Sequence, residues 1–403
     1  MQPADDAILA TAPPPPSARG PSASPACRFA VFATLLTAML FGGCGARPET
    51  GFLTPVSDPA VGTADYTVLV ATTRKRDERP GTLFGGERSK PLDFARIDVS
   101  IPATHKPGEI EWASTAPGNP QTDFVVRQAG YLDGEKAFVR SLNEQLAKRP
   151  RGSRKVLLFI HGYNTMFAEG LYRLAQVAHD AKSPAVPVLF TWASRGELTQ
   201  YIYDTNSATT ARDDLERTIR LIFASDAEQI NILAHSMGNW VTIEALRQIK
   251  ISGRVPPLNK LGAIFLAAPD VDMDVFRSQM QRFGKPRKPF YIVLSKDDKA
   301  LGASRFIAGG ERRLGADSDT AELAELGAVV IDLSDLKALD STNHSKFAQF
   351  AEIAPELMST LARGVHRAPS PGGAAQEAVE GSLDALVATP LKILGMPLKI
   401  IAR

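Results

Sequence analysis

Between about residues 64 and 365 the apolar positions follow two rhythms. YTVLVATT (66–73) and ARIDVSIP (95–102) alternate apolar and polar residues, which predicts partly exposed strands. From Lys155 onward, short continuous apolar runs recur instead: VLLFI, VPVLFTW, INILA, AIFLAA, FYIVL and VVIDL. Continuous runs of this length predict strands covered on both faces. The stretches between them have apolar residues at helical spacing. FAEGLYRLAQVAHDA, SATTARDDLERTIRLIFAS, NWVTIEALRQI and HSKFAQFAEIAPELMSTLA each predict a helix, the last interrupted by Pro355. Strand and helix in alternation predict an α/β domain over 64–365 with a doubly wound, mostly parallel sheet.

The two ends do not share this rhythm. Residues 1–43 read as a signal or leader segment. A Pro/Ala/Ser-rich start reaches Arg28, and an apolar run from Phe29 to Phe41 suits the core of a signal peptide better than a membrane span. LFGGC resembles a bacterial lipobox, which implies a lipid-modified Cys44 and an exported protein anchored in the cell envelope, facing the periplasm. Residues 44–63 and 366–382 read as linkers, the second rich in Pro, Gly and Ala. Residues 383–403 form an apolar, basic tail in which Pro390 and Pro397 exclude one straight helix. The leader and tail are expected to be disordered. The tail can pack on the domain surface or serve as a peripheral membrane contact.

Composition narrows the chemistry. The only cysteines are Cys27 and Cys44, so the domain has no disulfide, cysteine nucleophile or thiolate metal site. The six histidines show no HExxH or HxH spacing, and no metal is expected. A net charge of +2 without a Lys/Arg block leaves no footprint for nucleic acid.

INILAHSMGNW (230–240) carries the candidate chemistry. It places Ser236 on the turn between a strand and a helix, with Ala234 and Gly238 two residues to either side. This is the setting of a nucleophile elbow, which exposes the serine hydroxyl and puts the Met237 N–H at a helix N-terminus, where it can stabilise an oxyanion. A serine needs a base and an orienting acid, and in this fold the chain order is serine, acid, histidine. After Ser236 only His344 and His366 remain, and His344 follows the last strand. For the acid, Asp297, Asp298 and Asp270 all follow later strands. SRGELTQYIYDTNSATTARDD, with Tyr201 and Tyr203, reads equally as a border of the substrate cleft or as a surface loop.

These segments resemble a bacterial family of α/β-hydrolases of unknown function within the esterase/lipase superfamily. The matching pieces are VLVATTRKR, FGGERS, ARIDVSIPATHKPGEIE, VLLFIHGYN, FTWASRGELTQYIYD, ILAHSMGNW, SKDDKALGAS and NHSKF. The resemblance implies an α/β-hydrolase fold and a serine hydrolase of the carboxylic-ester class. It implies an acid after the penultimate strand, in SKDDKAL, and so Asp298, with Asp297 and Asp270 as rivals. HGYN resembles the oxyanion loops of lipases and esterases, which implies the Tyr163 N–H as second donor, Asn164 next, and His161 as a brace. The implied substrate is a small-molecule or lipid ester, and no cofactor is needed. A peptidase, thioesterase or acyltransferase would use the same triad, and a non-catalytic envelope lipoprotein could use the fold for binding.

Overall fold

The computed structural model describes residues 47–253, 260–283, 289–307, 309–316, 319–352, 387–393 and 396–402. Three strands come first: β1 (Ala64–Asp77), β2 (Leu83–Ile101) and β3 (Val125–Leu132), followed by helix α1 (Gly134–Ala147). Strand and helix then alternate through β4 (Lys155–Ile160), α2 (Phe167–Asp180), β5 (Val186–Thr191), α3 (Tyr201–Ala224), β6 (Gln229–His235), α4 (Gly238–Ile251) and β7 (Leu261–Ala267). The series continues with α5 (Met273–Phe283), β8 (Phe290–Leu294), α6 (Lys299–Ile307), α7 (Thr320–Glu325) and β9 (Ala328–Asp332). Residues 346–352 are helical. Strands β10 (Val387–Ile393) and β11 (Met396–Ala402) complete the described elements.

One sheet runs in the order β10-β11-β9-β8-β7-β6-β4-β5-β1-β2-β3. From β1 through β5, β4, β6, β7 and β8 to β9 every neighbour is parallel. Antiparallel strands finish both edges. This is the mostly parallel α/β-hydrolase sheet. Strand β4 lies between β5 and β6, so the chain leaves it first to one side and then crosses to the other. Loops leaving the carboxyl ends of β4 and β6 therefore diverge and open a crevice at that switch point.

The apolar runs are continuous because both faces are covered. On one face Leu158, Phe190 and Ile232 pack with Leu215 and Ile219 of α3 and Val241 of α4. On the other, Phe159, Leu189 and Leu233 pack with Leu171 and Leu174 of α2 and with Phe347 and Phe350.

Three stretches differ from their sequence reading. Residues 47–63, expected as linker, belong to the compact unit Ala46–Arg403. Leu53 and Val56 are buried, the Val56 N–H donates to the Val126 carbonyl, and Arg47 pairs with Glu169 at 2.6 Å. Helix α3 begins at Tyr201, six residues before the predicted start at Ser207, because Asp204 in its first turn is tied to Ser194, Arg195 and Asn164. Residues 387–393 and 396–402, expected without regular structure, form an antiparallel hairpin on the β9 edge. Its prolines are compatible with strands here: Pro390 lies in the outermost strand, and Pro397 precedes the β11 residues that pair with β9. The leader 1–43, Cys44 and the linker 366–382 lie outside the described residues. Among those described, no helix is long and apolar enough to cross a membrane.

Ile400 of β11 is fully buried against the sheet. Ile400→Ala should lower unfolding free energy by about 2–5 kcal/mol in chemical denaturation. A change under about 0.5 kcal/mol would mean that the hairpin contributes nothing to the core.

Candidate active site

The site starts from a constraint on the backbone. Ser236, between β6 and α4, has φ +52°, a left-handed conformation that costs a non-glycine residue about 1–3 kcal/mol. Neighbouring groups hold it there. The Ser236 N–H donates to the Ala267 carbonyl at 3.0 Å. Its carbonyl accepts from the N–H of Asn239 at 3.1 Å, the side-chain amide of Asn239 at 2.8 Å and the N–H of Asp270 at 3.3 Å. Asn239 is fully buried, and its amide also reaches the Ala267 carbonyl.

Glycine at two positions lets the turn meet the loop after β4. A Cβ on Gly238 would collide with the His161 carbonyl oxygen, and one on Gly162 would sit 2.7 Å from the Ser236 Cβ. The HG loop thus lies directly against the serine. Among the described residues neither the Met237 N–H nor the Tyr163 N–H meets an acceptor. The Asn164 N–H, the other candidate donor, is engaged by Asp204 at 3.2 Å.

His161 and Arg74 brace this loop from below. His161 is buried, donates through Nδ1 to the Gly162 carbonyl at 2.8 Å, and stacks on Trp192. Burial and the nearby Arg74 charge push its pKa down to about 3, so the ring is neutral and its Nε2 accepts from the Thr191 hydroxyl at 2.8 Å. Arg74, also buried, donates to the carbonyls of Thr165 (2.7 Å), Ser194 (2.7 Å) and Gly85 (3.0 Å) and to the Thr191 hydroxyl (2.8 Å). One guanidinium therefore ties together β1, the loops after β4 and β5, and β2. Burial lowers its pKa to about 10, which leaves it charged at neutral pH.

His344 lies in the loop after β9. Its Nδ1 bonds Asp298 Oδ2 at 2.7 Å, and the Asp298 side chain is fully buried. The other Asp298 oxygen accepts the Leu301 N–H at the start of α6. Burial pushes the His344 pKa down, but the hydrogen bond to Asp298 and that carboxylate's charge outweigh it and hold the imidazole above its ordinary value. The loop is pinned by Asp340, which accepts from the N–H groups of Thr342, His344 and Ser345. Asp297 faces away from the imidazole, bonding Lys346 at 2.7 Å and Asn343 at 2.9 Å. Asp270 bonds Ser304 at 2.6 Å and has no hydrogen bond to His344. The His344 ring packs on His235, centroids 4.6 Å apart, and His235 directly precedes Ser236. The His344 ring thus lies against the residue next to Ser236, and among the described residues the Ser236 hydroxyl forms no hydrogen bond.

The tyrosines of the insertion divide. Tyr201 packs edge-on against Tyr163 at 5.1 Å and so borders the site. Tyr203 lies under the guanidinium groups of Arg88 and Arg195. Among the described residues, His105, His179 and Asp180 bring possible metal-ligand atoms within 4.8 Å of one another. Both His105 nitrogens are taken by carboxylates, Glu111 at 2.8 Å and Asp180 at 2.9 Å. That pairing suits a structural ion cluster at the far end of α2 from the HG loop. Sequence reasoning missed Asn239, Asp204 and the role of Arg74. The ATTRKR segment that contains Arg74 was the one available signal.

A family model described as "Alpha/beta hydrolase of unknown function (DUF900)" matches residues 134–361. No curated protein matches the chain. Solved structures similar to it include the Francisella virulence factor BioJ, at 12% identity and TM-score 0.31, with 84% of this chain and 94% of that chain covered. Another is the ester-hydrolase EH1AB1 from the metagenome of Lake Arreo, complexed with a bipyridine phosphonate derivative, at 10% identity and TM-score 0.29, with 84% and 99% covered. Likeness of this degree transfers no chemistry.

Arg74→Leu would leave several buried acceptors unpaired. Its unfolding free energy in urea should fall by at least about 3 kcal/mol. A loss below about 1 kcal/mol would contradict the bracing role.

Proposed function

The chain belongs to the family of alpha/beta hydrolases of unknown function (DUF900), and from that premise we propose that it is a serine hydrolase cleaving carboxylic esters through an acyl-enzyme. The observation that carries the reading is the Asp298–His344 hydrogen bond, with the His344 ring packed on His235, the residue next to a left-handed Ser236. His344 Nε2 takes the Ser236 proton as Oγ attacks the ester carbonyl. Asp298 holds Nδ1–H, which fixes the tautomer that leaves Nε2 free to accept and stabilises the imidazolium that forms. The N–H groups of Met237 and Tyr163 receive the oxyanion, each worth on the order of a hundredfold or more in rate. His344 returns the proton to the departing alcohol, and water then releases the acyl group by the same route in reverse. The neutral His161 has no part in proton transfer.

A pure binding protein would need none of this arrangement. Fluorophosphonate labelling separates the two readings: wild type should label and Ser236→Ala should not, whereas a binder would label in neither. A label retained in Ser236→Ala would place the nucleophile elsewhere.

The pH dependence has a definite sign. His344 must be neutral to act, and its pKa lies above the ordinary 6.5. Hydrolysis of a p-nitrophenyl ester should therefore rise with pH through an apparent pKa above 6.5 and level off beyond it. Asp298→Asn should move that inflection downward and cost about 10³–10⁴-fold in kcat. An unshifted inflection would exclude His344–Asp298 as the titrating pair.

The apolar run after Arg28, with Cys44 behind it, supports export and anchoring in the cell envelope by a lipid on Cys44. Metabolic labelling with an alkynyl fatty acid should tag the wild type and not Cys44→Ser; equal tagging of both would refute the anchor.

A further inference from the structure

Among the described residues two arginines are more than nine-tenths buried, Arg74 and Arg313. Their surroundings are opposite. Arg74 spends its donors on four fixed oxygens. Arg313 has one counter-charge, Asp270, 3.3 Å from its Nε, and that Nε lacks a hydrogen-bonding partner. Its Nη groups donate to no acceptor among the described residues. A guanidinium is a rigid fork of five N–H donors matched to planar anions, and with only its Nε buried without a partner the Nη donors of Arg313 are open to a ligand.

The pair is fixed beside the reacting centre. Residues 312–315 run antiparallel to 269–273, through the Leu314 N–H to the Val271 carbonyl at 2.9 Å and the bridge between Asp272 and Arg313. Asp270 is held by Ser304 at 2.6 Å and approached by the Tyr201 hydroxyl at 3.5 Å. The Asp270 N–H donates to the Ser236 carbonyl, and the Tyr201 ring packs on Tyr163 of the HG loop. Asp270 thus links Arg313 to the nucleophile's own backbone, and Tyr201 links the same cluster to the oxyanion loop.

We propose that Arg313, oriented by Asp270, is the specificity-determining residue for a carboxylate carried by the substrate, so that the preferred ester is an anionic one such as a dicarboxylic acid monoester. The free fork receives the carboxylate while Ser236 attacks the ester carbonyl at the other end of the acyl chain. This rests on the reading of Ser236 as the nucleophile. Asp270 neutralises part of the arginine's charge, so discrimination comes from paired hydrogen bonds more than from net attraction.

The test compares hydrolysis of mono-p-nitrophenyl adipate with that of p-nitrophenyl hexanoate, in wild type, Arg313→Gln and Arg313→Lys. Wild type should favour the adipate ester in kcat/KM by tenfold or more. The ratio should fall at least tenfold in Arg313→Gln and partly in Arg313→Lys, which keeps the charge and loses the fork. A wild-type ratio near one, or a ratio unchanged in the variants, would overturn the assignment. If Arg313→Gln does not fold, the ratio in Arg313→Lys decides by the same criterion. Calorimetric titration of adipate into Ser236→Ala, with and without Arg313→Gln, reads the subsite without turnover. Binding that weakens tenfold on losing Arg313 supports it, and binding absent or unchanged overturns it. Fluorophosphonate labelling of Arg313→Gln reports on Ser236 separately, so failure of the nucleophile and failure of the subsite give different results.

Discussion

The site depends on how closely two backbones approach. Strand β6 turns into α4 through a left-handed serine, and the loop leaving β4 lies against that turn with room for no Cβ at Gly162 or Gly238. In the proposed mechanism that contact is what would set the N–H groups of Met237 and Tyr163 near the Ser236 hydroxyl before any substrate arrives. Preorganised donors of this kind need no rearrangement when charge develops, which is why they are effective in catalysis. The sheet makes the approach possible, since β4 and β6 are neighbours whose connections leave in opposite directions.

Around this contact, buried charges act as fasteners for loops that have no regular structure of their own. Arg74 holds the HG loop, Asp204 ties the start of α3 to the segment after β5, and Asp340 gathers the backbone around His344. The pair of Asp297 and the buried Lys346 fixes the same loop from its other side. Arg74, Asp204, Asp340 and Lys346 are each bonded to backbone carbonyls or N–H groups, so they constrain geometry as well as contributing stability. Arg313 departs from this pattern, and its unused donors distinguish it from the fasteners.

Strands β4–β9 and helices α2–α4 were legible in the sequence because both faces of a parallel sheet are covered, so each strand is an unbroken apolar run. Helix α1 was not predicted, although Phe138, Leu142 and Leu146, spaced four apart and fully buried, give it a helical period. That Ser236 sits on the turn between β6 and α4 and His344 in the loop after β9 was legible from motif and chain order. The adjacency of Asp297 and Asp298 was harder: neighbouring carboxylates in a turn look alike until the fold turns one to the imidazole and the other to Lys346. Residues 47–63 and 387–402 escaped because their contacts are edge pairings and isolated plugs such as Leu53 and Ile400, which leave no period. The polar fasteners escaped for a related reason. Arg74 meets Ser194 and Thr165 across some hundred residues of sequence, and no local pattern records such a pairing.

The most direct measurement is a crystal structure of the protein after reaction with an alkyl phosphonate p-nitrophenyl ester, whose tetrahedral phosphorus mimics the attacked carbonyl. Phosphorus should be bonded to Ser236 Oγ, with the phosphonyl oxygen about 3 Å from the nitrogens of both Met237 and Tyr163, and His344 Nε2 turned to Oγ with Nδ1 still on Asp298. Phosphorus on another residue, or a phosphonyl oxygen turned away from both N–H groups, would contradict it.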